Sequence, residues 1–472
     1  MIDPRVASGL RDIPPSVMIP RERMLAAFRA TFASFGYAPI ETPHIERMEV
    51  LTGKGAGSDE VLRQIFEVIN RGGEKGKLAL RFDLTVPLAR FVAKHVNELG
   101  VPFKRYAIGS VFRGERPAKG RFREFVQCDF DTVGTEGAVA DAETAEVIHS
   151  ALSAAGVPAF TITLNNRKIL DGLLSSLKVE FHRADVLRVL DKLSKIGREN
   201  CEQELSKILI IKSRERAVSE AGIDNKSEAL SEYDSRDLAK RILDFVEKHQ
   251  GGVNVLSGVE AELGSHPRAK EGIENLREIL DLLDAAGVAS ERLKIDLGLA
   301  RGLDYYTGVV FETTVDGWER FGSISSGGRY DDLASLFTER RLPGVGASIG
   351  LDRLLALMEE AGWLKGASTT VPVLVANFPG VPPTVPVQLA VRLRASGLGA
   401  EVFPDQIQVG RQMGYGSARG HKLAVIVGPD EVARQVFNLR DLATRQEQKA
   451  IPWTELEATV RRTLGTIAGT SS

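Results

Sequence analysis

The chain is poor in cysteine, scatters its histidines and has no long apolar run, and each scarcity removes a class of protein. Only Cys128 and Cys201 occur in 472 residues. They support neither a disulfide framework nor a thiolate metal site, and both read as reduced thiols in a cytoplasm-like compartment. No apolar stretch approaches the roughly 20 residues needed to span a bilayer. The opening Met1-Ile2-Asp3-Pro4-Arg5 lacks the apolar segment of a secretory signal, so a cytoplasmic location is expected. His44, His95, His149, His182, His249, His266 and His421 show no metal-ligand spacing, and no protein-bound metal is expected. A strong excess of one charge is also missing: 61 basic residues face 63 acidic ones, for a net −2. That excludes a uniformly basic nucleic-acid binder but not a local patch, which is what such binding depends on.

What is present is ordinary globular material, 43% hydrophobic and 26% charged, long enough for two to four domains with ample core. Three stretches stand out. Arg301-Gly302-Leu303-Asp304-Tyr305-Tyr306-Thr307-Gly308 puts a cation, an anion and two phenols into one short turn, between apolar Ile295–Leu299 and strand-like Val309–Phe311. Alone, it could equally be an Arg-Asp brace on a loop. Residues 103–134 read as a long β-hairpin, Phe103–Arg113 and Phe122–Val133 around a charged loop. In its second arm Arg123, Gln127 and Asp131 share one face, about 13 Å between successive members at the strand rise, while Phe122, Val126, Cys128 and Phe130 form the opposite, apolar face. The row passes from cation through amide to anion. It suits a ligand with a phosphate at one end and an amine or imidazole at the other, although a solvated sheet face would alternate in the same way. Finally, Leu351, Leu354, Leu355 and Met358 follow helical spacing after Gly346 and Gly350, which places Arg353 in the first turn, where helix amides and a guanidinium together favour phosphate.

These residues resemble a family. Phe112-Arg113-Gly114-Glu115-Arg116-Pro117 with Gly120-Arg121-Phe122-Arg123-Glu124-Phe125 and Gln127-Cys128-Asp129-Phe130-Asp131 resembles the second motif of class II aminoacyl-tRNA synthetases in its histidyl form. The run at 301–308 resembles a motif peculiar to histidyl-tRNA synthetases. Gly36-Tyr37 through Pro43 resembles motif 1, and Leu80-Arg81-Phe82-Asp83-Leu84-Thr85 resembles the segment that meets the amino acid. Ser325-Ser326-Gly327-Gly328-Arg329-Tyr330 resembles the second histidine motif, and Gly346–Arg353 resembles motif 3. Six matches in order are far more specific than any one.

The resemblance implies activation of L-histidine by ATP to histidyl-adenylate, then transfer to histidine tRNA. It assigns Arg113, Arg301 and Arg353 as catalytic arginines. Asp83, Leu84, Thr85, Arg113, Gln127, Asp131, Arg301, Tyr305 and Tyr306 would meet histidine, and Arg113, Glu115, Arg123 and Arg353 would meet ATP, whose phosphates carry Mg²⁺. Arg116, Lys119 and Arg121 would contact the tRNA acceptor end. From Arg113 to Glu124 five basic residues face two acidic ones. A site that hydrogen-bonds polar substrate atoms rejects analogues lacking them by about 10⁴ to 10⁵, so no editing activity is expected. Many family members carry glutamate where Asp83 and Asp131 stand; the aspartates mark a subgroup.

The expected fold is an α+β class II synthetase core built on an antiparallel sheet, with a helical insertion and a C-terminal α/β anticodon-binding domain. The core would comprise residues 1–165 and 291–362, the insertion 166–290 and the anticodon domain 371–472. An opening helix, Arg21–Phe35, carries Leu25, Phe28, Phe32 and Phe35 on one stripe. Charged helical patterns at Asp185–Ile196, Ser235–Glu247 and Lys270–Ala286 fill the insertion. Beyond the linker at Gly362–Pro372, strands Val373–Ala376, Gly399–Phe403 and Leu423–Val427 alternate with helices Val385–Ala395, Gln408–Arg419 and Trp453–Leu464, which reads as a largely parallel sheet. Residues 371–472 hold 11 basic and 8 acidic side chains, against 50 and 55 before them, only a mild bias. A homodimer through the motif 1 region is implied by the resemblance. Two alternatives share the synthetase-like core. A regulatory subunit of ATP phosphoribosyltransferase would usually lack the anticodon domain and the catalytic arginines, and a nutrient-sensing kinase would need kinase motifs that are not found.

Overall fold

The computed structural model describes residues 2–53, 63–69, 71–73, 75–221, 230–300, 306–364 and 368–469. It forms two compact units, one of residues 1–11 with 24–360 and one of residues 12–23 with 361–472. In chain order the strands of the larger unit are β1 (Ala38–Pro39), β2 (Ile45–Arg47), β3 (Glu67–Val68), β4 (Leu78–Leu80), β5 (Phe103–Phe112), β6 (Glu124–Val133), β7 (Phe160–Asn166), β8 (Gln250–Gly251), β9 (Leu293–Asp296), β10 (Val309–Val315), β11 (Ser325–Tyr330) and β12 (Gly344–Gly350). Nine of them make one sheet in the order β1-β5-β6-β12-β11-β10-β7-β9-β8. Its centre, from β5 to β7, is antiparallel, and the pairs β1-β5 and β7-β9 are parallel.

The expected hairpin is present, paired without a break from Phe103↔Val133 to Phe112↔Glu124. Its even-numbered face is apolar for a visible reason: Phe130 lies 5.1 Å from Phe32 and 5.7 Å from Tyr37, ring centre to ring centre. Phe28 and Phe32, on the expected stripe, are fully buried, although their helix starts earlier than expected, at Pro15, and runs to Ser34. With one face of β6 covered by this helix, the odd-numbered face is left for polar work, because a one-residue slip in register would turn Phe130 out of its aromatic cluster.

Between β7 and β9 the chain is mostly helical, including Arg167–Ser176, Arg198–Ala221, Glu232–Lys248 and Pro267–Ala285. The helix expected over Asp185–Ile196 is divided into Arg183–Leu190 and Leu193–Ile196. Helix Leu351–Glu360 follows β12 directly and buries Leu351, Leu354, Leu355 and Met358, as their spacing requires.

The smaller unit has a five-stranded sheet of β13 (Val373–Val375), β14 (Ala400–Val402), β15 (Leu423–Ile426), β16 (Val436–Asp441) and β17 (Glu447–Pro452) in the order β14-β13-β15-β16-β17. The first three are parallel, as expected, and are crossed by helices Thr384–Ala395 and Val409–Arg419. The antiparallel β16-β17 hairpin adds to that expectation. Among the described residues no helix is long and apolar enough to cross a membrane.

Candidate active site

Strand register builds the site. Cross-strand partners share a face, so the polar row on the odd face of β6 has defined neighbours. Asp131 lies between Arg105 on β5 and Gly346 on β12, Asp129 between Ala107 and Ser348, and Gln127 between Gly109 and Gly350. Small residues along β12 leave a trough beside the row. Gly346 has no room for more: a Cβ there would fall 2.2 Å from Asp131 Oδ1. At Gly328 a Cβ would stand 2.8 Å from the Tyr306 ring, so both glycines keep the trough open.

The trough ends in a cavity of about 240 Å³ whose walls include Asp83, Thr85, Arg113, Gln127, Asp131 and Tyr306. That is below the roughly 300–1,000 Å³ typical of drug-sized ligands and suits a single amino acid. Ser326, Tyr330, Gly346, Ala347 and Ser348 complete it. A second cavity of about 160 Å³ holds Arg113, Glu115, Arg121, Phe125 and Arg353 among its walls. Arg113, Gln127, Ser326 and Ser348 line both, so the two adjoin across the Arg113 guanidinium.

Asp83 sits just ahead of helix Thr85–Leu99, and its Oδ1 accepts the Val86 amide at 3.0 Å, as a capping carboxylate does. Its Oδ2 is buried with no hydrogen-bond partner among the described residues. Burial pushes the carboxyl up to about 6 against the pull of the Val86 amide, Arg113 and Arg105. Gln127 donates from Nε2 to Ser348 Oγ at 2.8 Å and leaves Oε1 buried without a partner. A buried acceptor with nothing to accept costs about 1–3 kcal/mol, and here two such oxygens belong to residues that line one cavity. A ligand with several N–H donors removes both costs.

Asp131 is already held. Its Oδ2 pairs with Arg105 at 2.6 Å and its Oδ1 accepts from Tyr330 at 2.7 Å. Burial raises its carboxyl, Arg105 opposing. Arg105 and Tyr330 are partners that sequence reasoning missed. Asp129, absent from the expected set, stands in the same period-2 row between Gln127 and Asp131, where alternation alone places it. Tyr306 lies in the cavity wall with its carbonyl held by Arg167 at 2.7 Å and its phenol raised by burial and by Asp131.

Arg113 is anchored by Nε to the Phe82 carbonyl at 3.0 Å and lies over the Phe125 ring, which leaves the end of its fork for the cavities. Arg353 falls in the first helical turn and bonds the Ser323 carbonyl; burial, then Arg121, holds its guanidinium below the usual arginine range. Neighbouring Asp352 binds Arg11 and the Val126 amide, which ties this helix start to β6. The carboxylates of the second cavity are thus Glu115, 3.6 Å from Arg121, and the occupied Asp352.

Three expected residues stand elsewhere. Leu84 is buried against Ala107 and Val111 rather than in either cavity. Arg123, expected on the nucleotide, bonds the carbonyls of Ser8 and Glu115, because its backbone pairs with Gly9 in the N-terminal segment. Arg121, expected on tRNA, lines the second cavity instead. Arg116 is exposed, and Lys119 pairs with Glu360. Arg301 and Tyr305 lie outside the described residues, so Arg113 and Arg353 are the two catalytic-arginine candidates seen together here.

The similarity to known proteins is extensive. Residues 9–354 match the family model for histidyl-tRNA synthetase, and residues 385–463 match that for an anticodon binding domain. The histidine–tRNA ligase of Rhodopirellula baltica is 45% identical over 448 residues, 95% of each chain. That of Wolinella succinogenes is 40% identical over 467 residues, 98% of this chain and 99% of the relative. A solved histidyl-tRNA synthetase from Nostoc sp. PCC 7120 superposes with a TM-score of 0.83 at 33% identity, covering 98% of this chain and all of that one. Matched along nearly its whole length, with the row on β6 and the arginines of motifs 2 and 3 around adjoining cavities, the chain belongs to the histidyl-tRNA synthetase family.

Proposed function

We propose that the protein activates L-histidine with ATP and transfers the histidyl group to histidine tRNA. The observation that carries this is the pair of buried, unpartnered acceptors, Asp83 Oδ2 and Gln127 Oε1, on two residues that line a cavity sharing Arg113 with an arginine-lined neighbour. The α-ammonium would bind the two acceptors, with Thr85 beside them. The imidazole would lie toward Tyr306, Tyr330 and Asp131, and the carboxylate at Arg113.

In the first step a histidine carboxylate oxygen forms a bond to the α-phosphorus of ATP while the bond to the bridging oxygen breaks, and pyrophosphate leaves. Two anions must approach, so fixed cations at the developing charge do most of the work. Arg113 holds carboxylate and α-phosphate together, Arg301 takes the far side of the phosphorus, and Arg353 takes the terminal phosphates, with bidentate grip from forks that stay protonated. Glu115 meets the nucleotide base; Arg121 is better placed for this cavity than Arg123. Mg²⁺ comes with the nucleotide as part of the substrate, which fits a cavity richer in guanidinium than in free carboxylate. In the second step the terminal ribose hydroxyl of the tRNA attacks the carbonyl carbon and AMP leaves, with Arg116 and Lys119 at the acceptor end. A homodimer through the region near Pro43 and the absence of editing belong to the same reading.

Histidine-dependent exchange of pyrophosphate into ATP, followed by charging of histidine tRNA, tests it. Both should be present, and Arg301→Ala should lose exchange while keeping calorimetric histidine binding. Histidine binding with neither activity would instead favour a regulatory histidine sensor.

A further inference from the structure

We infer that Arg11 is a positioning residue for the nucleotide: it neutralises Asp352 and covers Phe122, so that phosphates in the second cavity meet Arg353 beside a masked carboxylate. The inference deepens the proposed function and rests on it.

The N-terminal segment is built to deliver this side chain. The Gly9 carbonyl accepts the Arg123 amide at 2.8 Å, and the Ser8 carbonyl accepts from Arg123 Nη1 at 3.1 Å. Gly9 has a φ of +81°, and a Cβ there would fall 2.7 Å from Arg123 Cδ, so a close approach of the segment to the loop calls for glycine. Two residues on, Arg11 Nη2 meets Asp352 Oδ1 at 2.5 Å, and its guanidinium carbon stands 3.8 Å from the centre of the Phe122 ring. The planar fork thus pairs with an anion and covers an aromatic face at once.

Both partners line the second cavity together with Arg113, Arg121 and Arg353. Asp352 has a structural task there. Pairing of β12 with β6 ends at Gly350↔Gln127, and the next amide along β6, that of Val126, is accepted by Asp352 Oδ2 at 2.6 Å. That bond fixes the start of the helix that carries Arg353, but an amide brings no net charge. A carboxylate side chain only 5% exposed would repel phosphate in the same cavity. Arg11 supplies the missing charge. It is absent from the walls of both cavities, so it acts through Asp352 and Phe122 rather than on the ligand. A plain tether for the chain terminus would need no cation, since the Ser8 and Gly9 carbonyls already bond Arg123.

The test uses the full-length protein, with histidine-dependent pyrophosphate exchange measured as a function of ATP and of L-histidine. Arg11→Gln keeps a long side chain and a donor for Asp352 but removes the charge, whereas Arg11→Lys keeps the charge. The first should raise the KM for ATP about tenfold and the second less than about threefold, the difference expected of one unneutralised charge beside a triphosphate. The KM for L-histidine, and its calorimetric affinity without ATP, should change less than about twofold in both. Arg11→Gln combined with Asp352→Asn, which removes the anion itself, should regain most of the loss. Arg11→Met, equally neutral, takes the place of Arg11→Gln should that variant not fold. An ATP KM within about twofold of the parent for the neutral variant, equal losses in the neutral and lysine variants, or a double variant as poor as the single one would overturn the role, while parental exchange still supports the functional reading. Absence of exchange in the parent would overturn both.

Discussion

Asp141 and Asp83 are both buried carboxylates of the larger unit, yet every oxygen of the first is occupied and one oxygen of the second is bare. Asp141 Oδ1 accepts from Arg329 at 2.9 Å, and its Oδ2 accepts from Asn275 at 3.2 Å. Asn275 in turn accepts from Asn166 at 2.8 Å, which links the helical insertion to β7 and β11. Asp83 keeps a single amide bond and an unpartnered Oδ2 beside a cavity. Satisfied polar groups in a core specify the fold, whereas unsatisfied ones are costs that persist where a ligand removes them.

The sharpest way to break this contrast is to remove Asp141. Asp141→Ala removes the closest carboxylate of the buried Arg329 guanidinium and leaves it Asp331 at 4.0 Å, which should cost about 3 kcal/mol of stability by chemical denaturation, the lower end for a broken buried pair. A loss below 1 kcal/mol would erase the distinction. Asp83→Asn should do the reverse: L-histidine affinity falls about a hundredfold, the upper range for a hydrogen bond to a charged group, while the melting temperature of the empty protein does not fall. The sign follows from linkage. The folded carboxyl, raised to about 6, lies above its unfolded value of about 3.9, so ionised Asp83 opposes folding at neutral pH and that opposition fades as pH drops from 6 toward 4. A clear drop in melting temperature would make Asp83 a structural residue like Asp141.

A smaller effect sharpens the same point through pH. Below about 6 the Asp83 carboxyl gains a proton, and its attraction for an ammonium is lost. The affinity ratio of L-histidine to its deamino analogue should therefore fall about tenfold on going from pH 7 to 5. The comparison uses 3-(imidazol-4-yl)propanoate, histidine without its ammonium. The two ligands' rings titrate differently because only histidine carries the ammonium, so each affinity is first corrected for the measured ring titration of its free ligand; a flat corrected ratio would contradict the assignment. The smallest effects belong to the exposed rim. Lys119 already pairs with Glu360 at the surface, and exposed charges are worth under about 1 kcal/mol. Arg116→Ala and Lys119→Ala should lower tRNA charging about two- to fivefold, more at low salt, with pyrophosphate exchange unchanged. Normal charging by both would remove them from the tRNA surface.

Legibility followed the range of the interaction. The hairpin arms and helix Leu351–Glu360 depend on periodicities of 2 and 3.6 within a few residues, and the sequence carries both. The members of the β6 row are legible for the same reason, Asp129 included. Arg105 and Tyr330 were not, since Tyr330 meets Asp131 across 199 residues through a register that no local pattern encodes. The position of Arg123 outside the second cavity has a similar origin: its amide pairs with Gly9, a contact between the loop and the distant N-terminal segment. In the smaller unit the parallel strands announced themselves as apolar runs, whereas β17, exposed along most of its length, gave no such signal.

The most direct test is a structure of the protein bound to a non-hydrolysable histidyl-adenylate analogue. The α-ammonium should lie within hydrogen-bonding distance of Asp83 Oδ2 and Gln127 Oε1, with the phosphate at Arg113 and the adenosine in the second cavity toward Glu115. An analogue seated elsewhere, with those two oxygens still bare, would contradict the account.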